Sequence, residues 1–308
     1  MNSREAICIS DKRISECHEK IIQSICVTEI ATATGILASI TQENLDVAIA
    51  ESLQTLSLLL NLEFEMGDRI LEVGAGYGLA SICLAMMGFE VAALEPGGLG
   101  FEQNRQASVA FAKACDVTVS HISESAETFD FSKVEKFKLI VSNNVLEHIP
   151  DLNCALTNLN NALASDGMMV HSCPNYAFPL EPHFGIPLLP IVPKLTSKLL
   201  PKTITESGLW QSLNFIKLSQ VKRNVRQNQM SCKFRRGTMS KSIRRLRIDP
   251  EFSTRHKGLA RLVRFGPLFR LLIVGASLPR RMATPMDFVI CFPEHRKCRN
   301  VQTWISQR

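Results

Sequence analysis

Several features that define other protein classes are missing from this chain of 308 residues. It has no run of 18 or more apolar residues, so we expect no membrane-spanning helix. Its N-terminal stretch contains no apolar core followed by a small-residue cleavage site, so we expect no signal peptide. None of its ten cysteines belongs to a CxxC pair, which argues against a zinc ribbon or a disulfide framework and favours a reducing, cytoplasmic compartment.

Acidic residues are also scarce, but only in the last third of the chain. Residues 1–200 contain 12 Lys+Arg and 24 Asp+Glu, whereas residues 201–308 contain 23 Lys+Arg and 5 Asp+Glu. The two balances, −12 and +18, add up to the net charge of +6. An acidic front and a basic back indicate parts with different tasks.

The chain does carry a repeated alternation of helix and strand patterns. Helical apolar spacing covers 14–40 and 45–62, with Thr41 as a candidate N-cap. Strands are then predicted at 69–73, 89–95, 116–122, 137–142 and 168–173, and helices at 79–87, 98–114 and 152–163, the last ending before an Asp166-Gly167 turn. Such alternation is typical of βαβ units around a parallel sheet.

The alternation stops after Cys173. Residues 174–201 are rich in proline and predict an extended loop, which is followed by basic and apolar-basic regions. A last strand at 286–292 is expected to return to the sheet. We therefore divide the chain into an N-terminal helical segment (1–62), a ligand-binding α/β domain (63–178), a basic inserted lid for the substrate (179–281), and the closing strand with a C-terminal tail (282–308).

The loop after the first strand of this alternation carries the strongest functional signal. It reads E-V-G-A-G-Y-G from Glu72 to Gly78, and a helix is predicted from Leu79. Glycines allow a tight turn and a close approach of the backbone to a ligand, and the helix start offers free N–H groups. A dinucleotide site needs G-x-G-x-x-G, whose third glycine would fall on Leu79. A carboxylate at position 72 would repel a pyrophosphate but suits a cationic amino-acid ligand.

With this loop the sequence resembles the class I S-adenosylmethionine-dependent methyltransferases. The resemblance extends to F-K-L-I-V-S-N-N-V-L-E-H-I-P-D at 137–151, to A-L-A-S-D-G-M-M-V-H-S-C-P-N at 162–175 and to M-D-F-V-I-C-F at 286–292. It implies a doubly wound, mostly parallel, seven-stranded Rossmann-like sheet that binds S-adenosylmethionine. Lys138 departs from the family pattern, which usually has Asp before the fourth strand.

The resemblance also implies which residues bind the cofactor. The amino-acid end would be held by Glu72, Gly74, Gly76 and Gly78, and both ribose hydroxyls would be accepted by Glu95 at the end of the second strand. The adenine would be lined by Ala126 and Glu127, and the methionine side by Asn143 and Asn144.

Two histidines are the candidate catalytic residues. His148 of the V-L-E-H segment and His183 of E-P-H-F-G-I-P could each act as general base for a hydroxyl acceptor. The alternatives are an orienting role for His148 and a loop-anchoring role for His183. His171 on the fifth strand is a further base candidate. Methyl transfer from a sulfonium is a one-step displacement, so alignment of donor and acceptor could suffice without a base.

No catalytic metal is predicted. Ubiquinone-pathway O-methyltransferases with a similar V-L-E-H segment carry an acid three residues before the Glu and use this cluster to hold a metal. The corresponding residue here is Asn144, which leaves Glu147 and His148. Two ligands are too few for a dedicated site.

The basic region at 221–281 leaves several partners open. Its charge would suit a small-molecule, glycan or lipid-linked anionic acceptor, an anionic membrane surface, nucleic acid, or the acidic front half of the chain. Nucleic acid is less favoured, because Phe234 is the only aromatic residue at 221–247. The predicted function is methyl transfer to an unidentified acceptor. The alternatives are a nicotinamide-dependent oxidoreductase, which Leu79 disfavours, and a cofactor-binding scaffold without activity.

Overall fold

A seven-stranded sheet lies at the centre of the protein. The computed structural model describes residues 5–27, 40–97, 102–189, 192–248, 282–293 and 304–305. The strands within these ranges are β1 (Ala6–Cys8), β2 (Glu63–Glu65), β3 (Arg69–Val73), β4 (Glu90–Leu94), β5 (Val119–Ile122), β6 (Phe137–Asn143), β7 (Leu163–Cys173), β8 (Leu180–Glu181), β9 (Ile186–Pro187), β10 (Ser231–Phe234) and β11 (Met286–Cys291).

Helices connect most of these strands. The α-helices are α1 (Asp11–Val27), α2 (Gln42–Leu58), α3 (Leu79–Met86), α4 (Glu102–Ala114), α5 (Leu152–Ala162), α6 (Lys202–Thr205), α7 (Gly208–Ser212), α8 (Leu218–Gln227) and α9 (Thr238–Ile248). Short 3-10 helices cover Phe131–Lys133, Leu146–His148 and Pro193–Leu199.

The order of strands in the large sheet is β10-β11-β7-β6-β3-β4-β5. The strands β3 to β7 pair in parallel, whereas β11 runs antiparallel to β7 and β10 antiparallel to β11. The chain moves outward from β3 to β5 and then returns to β6 on the other side of β3. The order therefore reverses between the carboxyl ends of β3 and β6, which is where open α/β sheets bind their ligands. The predicted mostly parallel, seven-stranded α/β sheet is confirmed.

Alternating side chains of the central strands build one core on each face of the sheet. In β6, Leu139 and Val141 belong to the core that contains residues of α1 to α4, whereas Ile140 faces the core that contains residues of α5 and α8. In β3, Ile70 and Leu71 divide in the same way. Because both faces are covered, these strands read as continuous apolar runs in the sequence.

The N-terminal helices pack against one face of this sheet. The helix predicted at 14–40 is observed as α1, and residues 28–39 lie outside the described residues. Thr41 caps α2, since its side-chain oxygen accepts the Asn44 N–H at 3.1 Å, as predicted. The short strand β1, which pairs antiparallel with β2, was not predicted.

One local prediction is wrong. The Asp166-Gly167 turn is absent, because β7 continues through these positions. Its pairing with β6 is irregular there, since Phe137 pairs with Leu163 and Leu139 pairs with Met168. A Cβ at position 167 would lie 2.9 Å from the Phe137 carbonyl oxygen, so glycine lets the two strands stay close across this irregularity.

Part of the predicted lid belongs to the sheet. Strand β10 lies inside 179–281 and pairs with β11, with Phe234 opposite Phe288. The proline-rich stretch is mostly irregular, as expected, although β8 and β9 pair as a small hairpin. The apolar-basic region predicted at 259–281 lies outside the described residues. The boundaries at 179 and 281 remain predictions.

Two further features concern membrane-spanning helices and the state of the cysteines. In the described parts of the chain, no helix has the length and apolar character needed to cross a bilayer. Seven cysteines at positions 8, 17, 83, 115, 154, 173 and 232 are free thiols. Cys291 is disulfide-bonded, which the scattered spacing of the cysteines did not predict.

A buried histidine in the sheet gives a prediction for stability. His171 of β7 shares a hydrogen bond of 2.8 Å with Ser142, and burial lowers its pKa to about 3. The unfolded chain would protonate this ring below about pH 6.5 and the folded protein would not, so the histidine costs stability as the pH falls. We expect the destabilisation caused by His171→Asn to be about 2 kcal/mol smaller at pH 5 than at pH 7.

Urea unfolding of the wild type and the variant at both pH values measures this difference. The comparison between variants is needed because buried Glu72, with its pKa raised to about 7, changes stability in the opposite direction over the same range. An equal cost of the substitution at pH 5 and pH 7 would contradict the expected linkage. His171 is fully buried in β7, between β6 and β11, and its role as a base candidate stays a prediction.

Candidate active site

The candidate site lies at the carboxyl ends of β3 and β6. The loop 74–78 leaves β3 there, and the segment 144–148 leaves β6. The two segments touch, because a Cβ on Gly74 would lie 2.3 Å from Cγ2 of Val145. The Gly74 N–H donates to the Leu94 carbonyl at the end of β4, at 2.8 Å. The loops at these strand ends therefore pack directly against one another.

The glycine loop has the conformation that its sequence predicts. Gly74, Gly76 and Gly78 have φ values of 70°, 54° and 72°. A Cβ on Gly78 would lie 1.9 Å from the Ser108 Oγ, so α3 begins where no side chain fits. A Cβ on Gly76 would meet no atom within 4 Å. The loop thus leaves space beside its middle glycine, which fits a ligand that approaches the backbone.

Glu72 lies at the end of β3, where this loop begins. Its Oε2 accepts a hydrogen bond of 2.5 Å from the Ser81 Oγ of α3. Burial raises the pKa of Glu72 to about 7, although the hydrogen bonds from Ser81 act in the opposite direction. A cationic group in the loop would favour the ionised carboxylate. Its contact with the amino-acid end of a cofactor remains a prediction.

Glu95 follows β4 and reaches the same loop. Its Oε2 accepts the Gly76 N–H at 2.8 Å. Burial raises the pKa of Glu95, and the backbone amides of Gly76 and Gly97 oppose the change. A carboxylate has about four lone-pair sites, so Glu95 keeps acceptor capacity for a diol while it holds the loop.

The segment after β5 is fixed by α5. Asn158 Nδ2 donates to the carbonyl oxygens of Ala126 and Glu127, at 3.2 and 2.8 Å. Ala126 is buried and the Glu127 side chain is half-buried. The structure thus places both predicted adenine residues beyond the end of β5, while their contact with adenine stays a prediction.

The two asparagines at the end of β6, Asn143 and Asn144, differ in their hydrogen bonds. Asn144 has a φ of 54°, and its N–H donates to the Ser172 carbonyl of β7. Asn143 Nδ2 donates to the Glu51 carbonyl of α2 at 3.4 Å, whereas its buried Oδ1 has no partner in the part of the chain that the structure describes. A buried carbonyl oxygen without a donor suits an N–H or ammonium group of a ligand.

Behind these residues, Glu147 is fully buried in the 3-10 helix that follows β6. Neither carboxylate oxygen has a hydrogen-bond partner among the described residues. Burial raises the pKa of Glu147 to about 7, while the nearby His183 acts in the opposite direction. Burying a carboxylate without a hydrogen-bond partner lowers the stability of the fold, so the position of Glu147 indicates a functional role.

His148 stands beside this carboxylate. Its Nδ1 is 2.7 Å from the Ser212 Oγ, and its Nε2 is 3.9 Å from the Glu147 Oε1. Burial lowers the pKa of His148 to about 4, which His183 reinforces. The imidazole is therefore neutral near pH 7.

His183 reaches the same carboxylate from the β8–β9 hairpin. Its Nδ1 is 2.6 Å from the Glu181 Oε1, and its Nε2 is 3.9 Å from the Glu147 Oε1. Burial alone would lower the pKa of His183, but the hydrogen bond with Glu181 and the surrounding carboxylates outweigh it and raise the pKa. The two imidazole rings lie 5.2 Å apart, so the two predicted catalytic histidines do come together.

Three residues of this cluster were missed by the sequence reasoning. Glu181 is two residues before His183, and the E-P-H spacing was its only signal. Ser212 and Asn214 are more than 60 residues from the V-L-E-H segment. Asn214 Nδ2 donates to the carbonyl of Leu146 within that segment and to the carbonyl of Ile149 just after it, at 2.7 and 2.8 Å. Such long-range partners leave no local pattern.

Comparison with known proteins gives related sequences. A family model described as a methyltransferase domain matches residues 41–203. An uncharacterized protein of Mycobacterium tuberculosis is 30% identical over 231 residues, which is 72% of this chain and 78% of the relative. A ubiquinone biosynthesis O-methyltransferase of Rickettsia conorii is 29% identical over 132 residues, which is 41% of this chain and 44% of the relative.

A solved structure has a similar fold. The structure described as StiE O-MT residues 961–1257 matches with a TM-score of 0.50 and 13% sequence identity. The match covers 86% of this chain and 83% of that chain. At 13% identity, this similarity shows that the two chains share a fold.

Proposed function

The chain belongs to the methyltransferase-domain family and is a class I S-adenosylmethionine-dependent methyltransferase, and from that premise we propose that it methylates a hydroxyl oxygen of an anionic acceptor. The observation that carries this proposal is the contact between the glycine loop and the segment that bears the Glu147–histidine cluster. Gly74 lies against Val145, two residues before Glu147. A donor in the loop and an acceptor at the cluster would therefore be neighbours.

The residues around the loop fit the cofactor. The space beside Gly76 admits a ligand, Glu95 can accept the ribose hydroxyls, and the unpartnered Asn143 Oδ1 can accept from the ammonium group. Ala126 and Glu127 would line the adenine, and Glu72 would stabilise the cationic end from beneath the loop. When bound, S-adenosylmethionine supplies the methyl group, and the electron pair of the broken carbon–sulfur bond remains on sulfur in S-adenosylhomocysteine.

The cluster accounts for the acceptor half of the reaction. As the hydroxyl oxygen forms its bond to carbon, its proton must leave, and Glu147, His148 and His183 offer oxygen and nitrogen sites for it. Glu181 keeps His183 oriented through Nδ1, and Ser212 does the same for His148. A positioned base of this kind typically contributes about 10²- to 10⁴-fold to a rate.

The class of acceptor is supported by two observations. The curated relatives include ubiquinone biosynthesis O-methyltransferases, whose name specifies transfer to oxygen. In this chain, residues 217–248 contain no acidic residue and many basic ones, namely Lys217, Lys222, Arg223, Arg226, Lys233, Arg235, Arg236, Lys241, Arg244, Arg245 and Arg247. Arg235 is committed to Asp287, at 3.4 Å. The positive charge of this range supports an anionic small-molecule, glycan or lipid-linked acceptor, and nucleic acid is less favoured because Phe234 is the only aromatic residue at 221–247.

Peripheral contact with an anionic membrane surface is part of the same proposal. In α8 the apolar residues Leu218, Val221 and Val225 are buried, and Lys222 and Arg223 are exposed. Basic side chains that point outward from a packed helix suit anionic headgroups. Sedimentation with vesicles of phosphatidylglycerol, compared with phosphatidylcholine, tests this contact.

Two experiments test the proposed function. Calorimetry with S-adenosylmethionine, S-adenosylhomocysteine and NAD is expected to show binding of the first two alone. Incubation with a labelled methyl donor and a cell extract is expected to label a lipid, glycan or small-molecule fraction. The labelled methyl group should be held in a chemically stable methyl ether. Label in RNA would overturn the acceptor class, and label on nitrogen would overturn the hydroxyl.

The alternatives make different predictions in these experiments. An oxidoreductase would bind NAD, but the position of a third dinucleotide glycine is occupied by Leu79, the buried first residue of α3. A non-catalytic scaffold would bind the cofactor without labelling any fraction. Binding without turnover on any acceptor, combined with loss of binding but retained partner contacts in Glu95→Ala, would favour the scaffold.

A further inference from the structure

Glu147, His148 and His183 each bring one ligand atom to a common point. These atoms lie within 4.8 Å of one another, and each histidine Nε2 is 3.9 Å from the Glu147 Oε1. Glu147 and His148 come from the segment after β6, whereas His183 comes from the β8–β9 hairpin. We propose that these three side chains hold a divalent transition-metal cation, with His183 as the third ligand that the V-L-E-H segment alone does not supply.

The hydrogen bonds of His148 leave a lone pair directed at this point. Ser212 Oγ donates its hydrogen to the Leu209 carbonyl at 2.8 Å, so it accepts from His148 Nδ1 at 2.7 Å. The ring proton is then on Nδ1, and Nε2 on the side of Glu147 is unprotonated. Metal-binding histidines are typically fixed in this way by a partner at the other nitrogen.

His183 is held by a carboxylate. Glu181 Oε1 accepts from His183 Nδ1 at 2.6 Å, and the same carboxylate accepts from the Tyr176 hydroxyl and the Phe184 N–H. Glu181 itself is fully buried. A buried carboxylate behind an imidazole fixes the ring and raises its basicity as a ligand.

Glu147 supplies the independent observation that points to a ligand. It is fully buried, and both of its oxygens lack a hydrogen-bond partner in the described ranges. Each neighbouring histidine directs Nε2 toward Glu147 from 3.9 Å, which is beyond hydrogen-bond length. A cation between the three groups would satisfy all of them at once, because metal–ligand bonds of about 2.0–2.2 Å need only a small contraction of this arrangement.

The donor set selects the metal. Two imidazole nitrogens and one carboxylate oxygen suit zinc, cobalt, iron or manganese, whereas magnesium and calcium prefer oxygen ligands. Three protein ligands leave a coordination position open. With a metal bound, the three side chains would act through it instead of taking the proton themselves, and a hydroxyl bound at the open position would lose its proton more readily. This last consequence depends on the proposed function, but the metal site itself does not.

Metal content of the intact protein tests the proposal. The protein is freed of metal by dialysis against a chelator, incubated with zinc or with cobalt, and passed through a desalting column. We expect about one equivalent of either metal per protein chain by mass spectrometry. The cobalt form should show visible absorption typical of a low coordination number. No metal above the blank in the wild type would overturn the proposal, whether or not S-adenosylmethionine binds in calorimetry.

Variants locate the metal. Glu147→Gln and His183→Ala are expected to bind no metal. Glu181→Gln, which removes the negative charge behind His183, is expected to weaken cobalt binding about 10- to 100-fold. His18→Ala is the matched control, because it removes a buried histidine that is bonded to Ser52 and is not one of the three proposed ligands, and it should keep the metal. Retention of a full equivalent in both Glu147→Gln and His183→Ala would place the metal elsewhere and overturn the assignment.

Discussion

Gly76→Ala is expected to weaken the binding of S-adenosylmethionine about 10- to 100-fold. The new Cβ would meet no protein atom within 4 Å, so a clash arises only with a ligand that approaches the loop. Overpacking of this kind costs about 1–3 kcal/mol, and about 1.4 kcal/mol corresponds to a factor of ten in affinity. Isothermal titration calorimetry with S-adenosylmethionine measures the effect.

Gly67→Ala provides the matched control. Gly67 also has a positive φ, 79°, and an open Cβ position, but it lies before β3 at the opposite end of that strand. Both substitutions force alanine into the left-handed region, which costs about 1–2 kcal/mol of stability. Thermal unfolding should therefore shift equally in the two variants, while cofactor affinity falls in Gly76→Ala alone. Equal affinity in the two variants would show that the cofactor does not lie against Gly76.

The geometry of the proposed cofactor half of the site could be predicted because its signals are local. The glycines, Glu72 and the start of α3 follow one another within ten residues, so sequence spacing fixes their geometry. Glu95 is separate, but it ends the next strand, and parallel pairing of β3 with β4 brings it to the loop. What the sequence could not show is that Glu95 accepts the Gly76 N–H.

The acceptor half could be predicted only in part. His148 and His183 were each recognisable as candidate bases, but nothing in the sequence placed them on the same carboxylate. Their contact depends on the course of the proline-rich segment, which contains no periodic pattern. The prediction of no metal considered the local pair Glu147–His148 and has not been tested; His183, the third ligand of the proposed site, is 35 positions after His148 along the chain.

The fold shows the same division between local and long-range information. The parallel strands were predicted because each is a short apolar run between helices. Strand β10 was not, since S-C-K-F lies within a strongly basic stretch and none of its side chains is fully buried. It joins the sheet because β11 offers a free edge, which is a property of the assembled sheet rather than of the residues themselves.

His183→Ala is expected to reduce the rate of methyl transfer about 10²- to 10⁴-fold at saturating S-adenosylmethionine. The substitution removes a nitrogen that faces Glu147 and leaves the buried Glu181 without its charged partner. Cofactor affinity should be unchanged, because the glycine loop and Glu95 make no described contact with this ring. The rate of label transfer to the acceptor fraction identified in extract, measured beside cofactor calorimetry, separates the two effects.

The control for this variant is again His18→Ala. It also removes a buried imidazole, whose Nε2 is 2.9 Å from the Ser52 Oγ, so general destabilisation affects both proteins. An equal loss of rate in both variants would assign the effect to folding. An unchanged rate in His183→Ala would show that His183 is not the base, which leaves Glu147, His148 or an acceptor that reaches the donor already deprotonated. In the case of a deprotonated acceptor, alignment of the two substrates at the ends of β3 and β6 would account for the catalysis. Displacement at a sulfonium methyl needs no base when the nucleophile has already lost its proton.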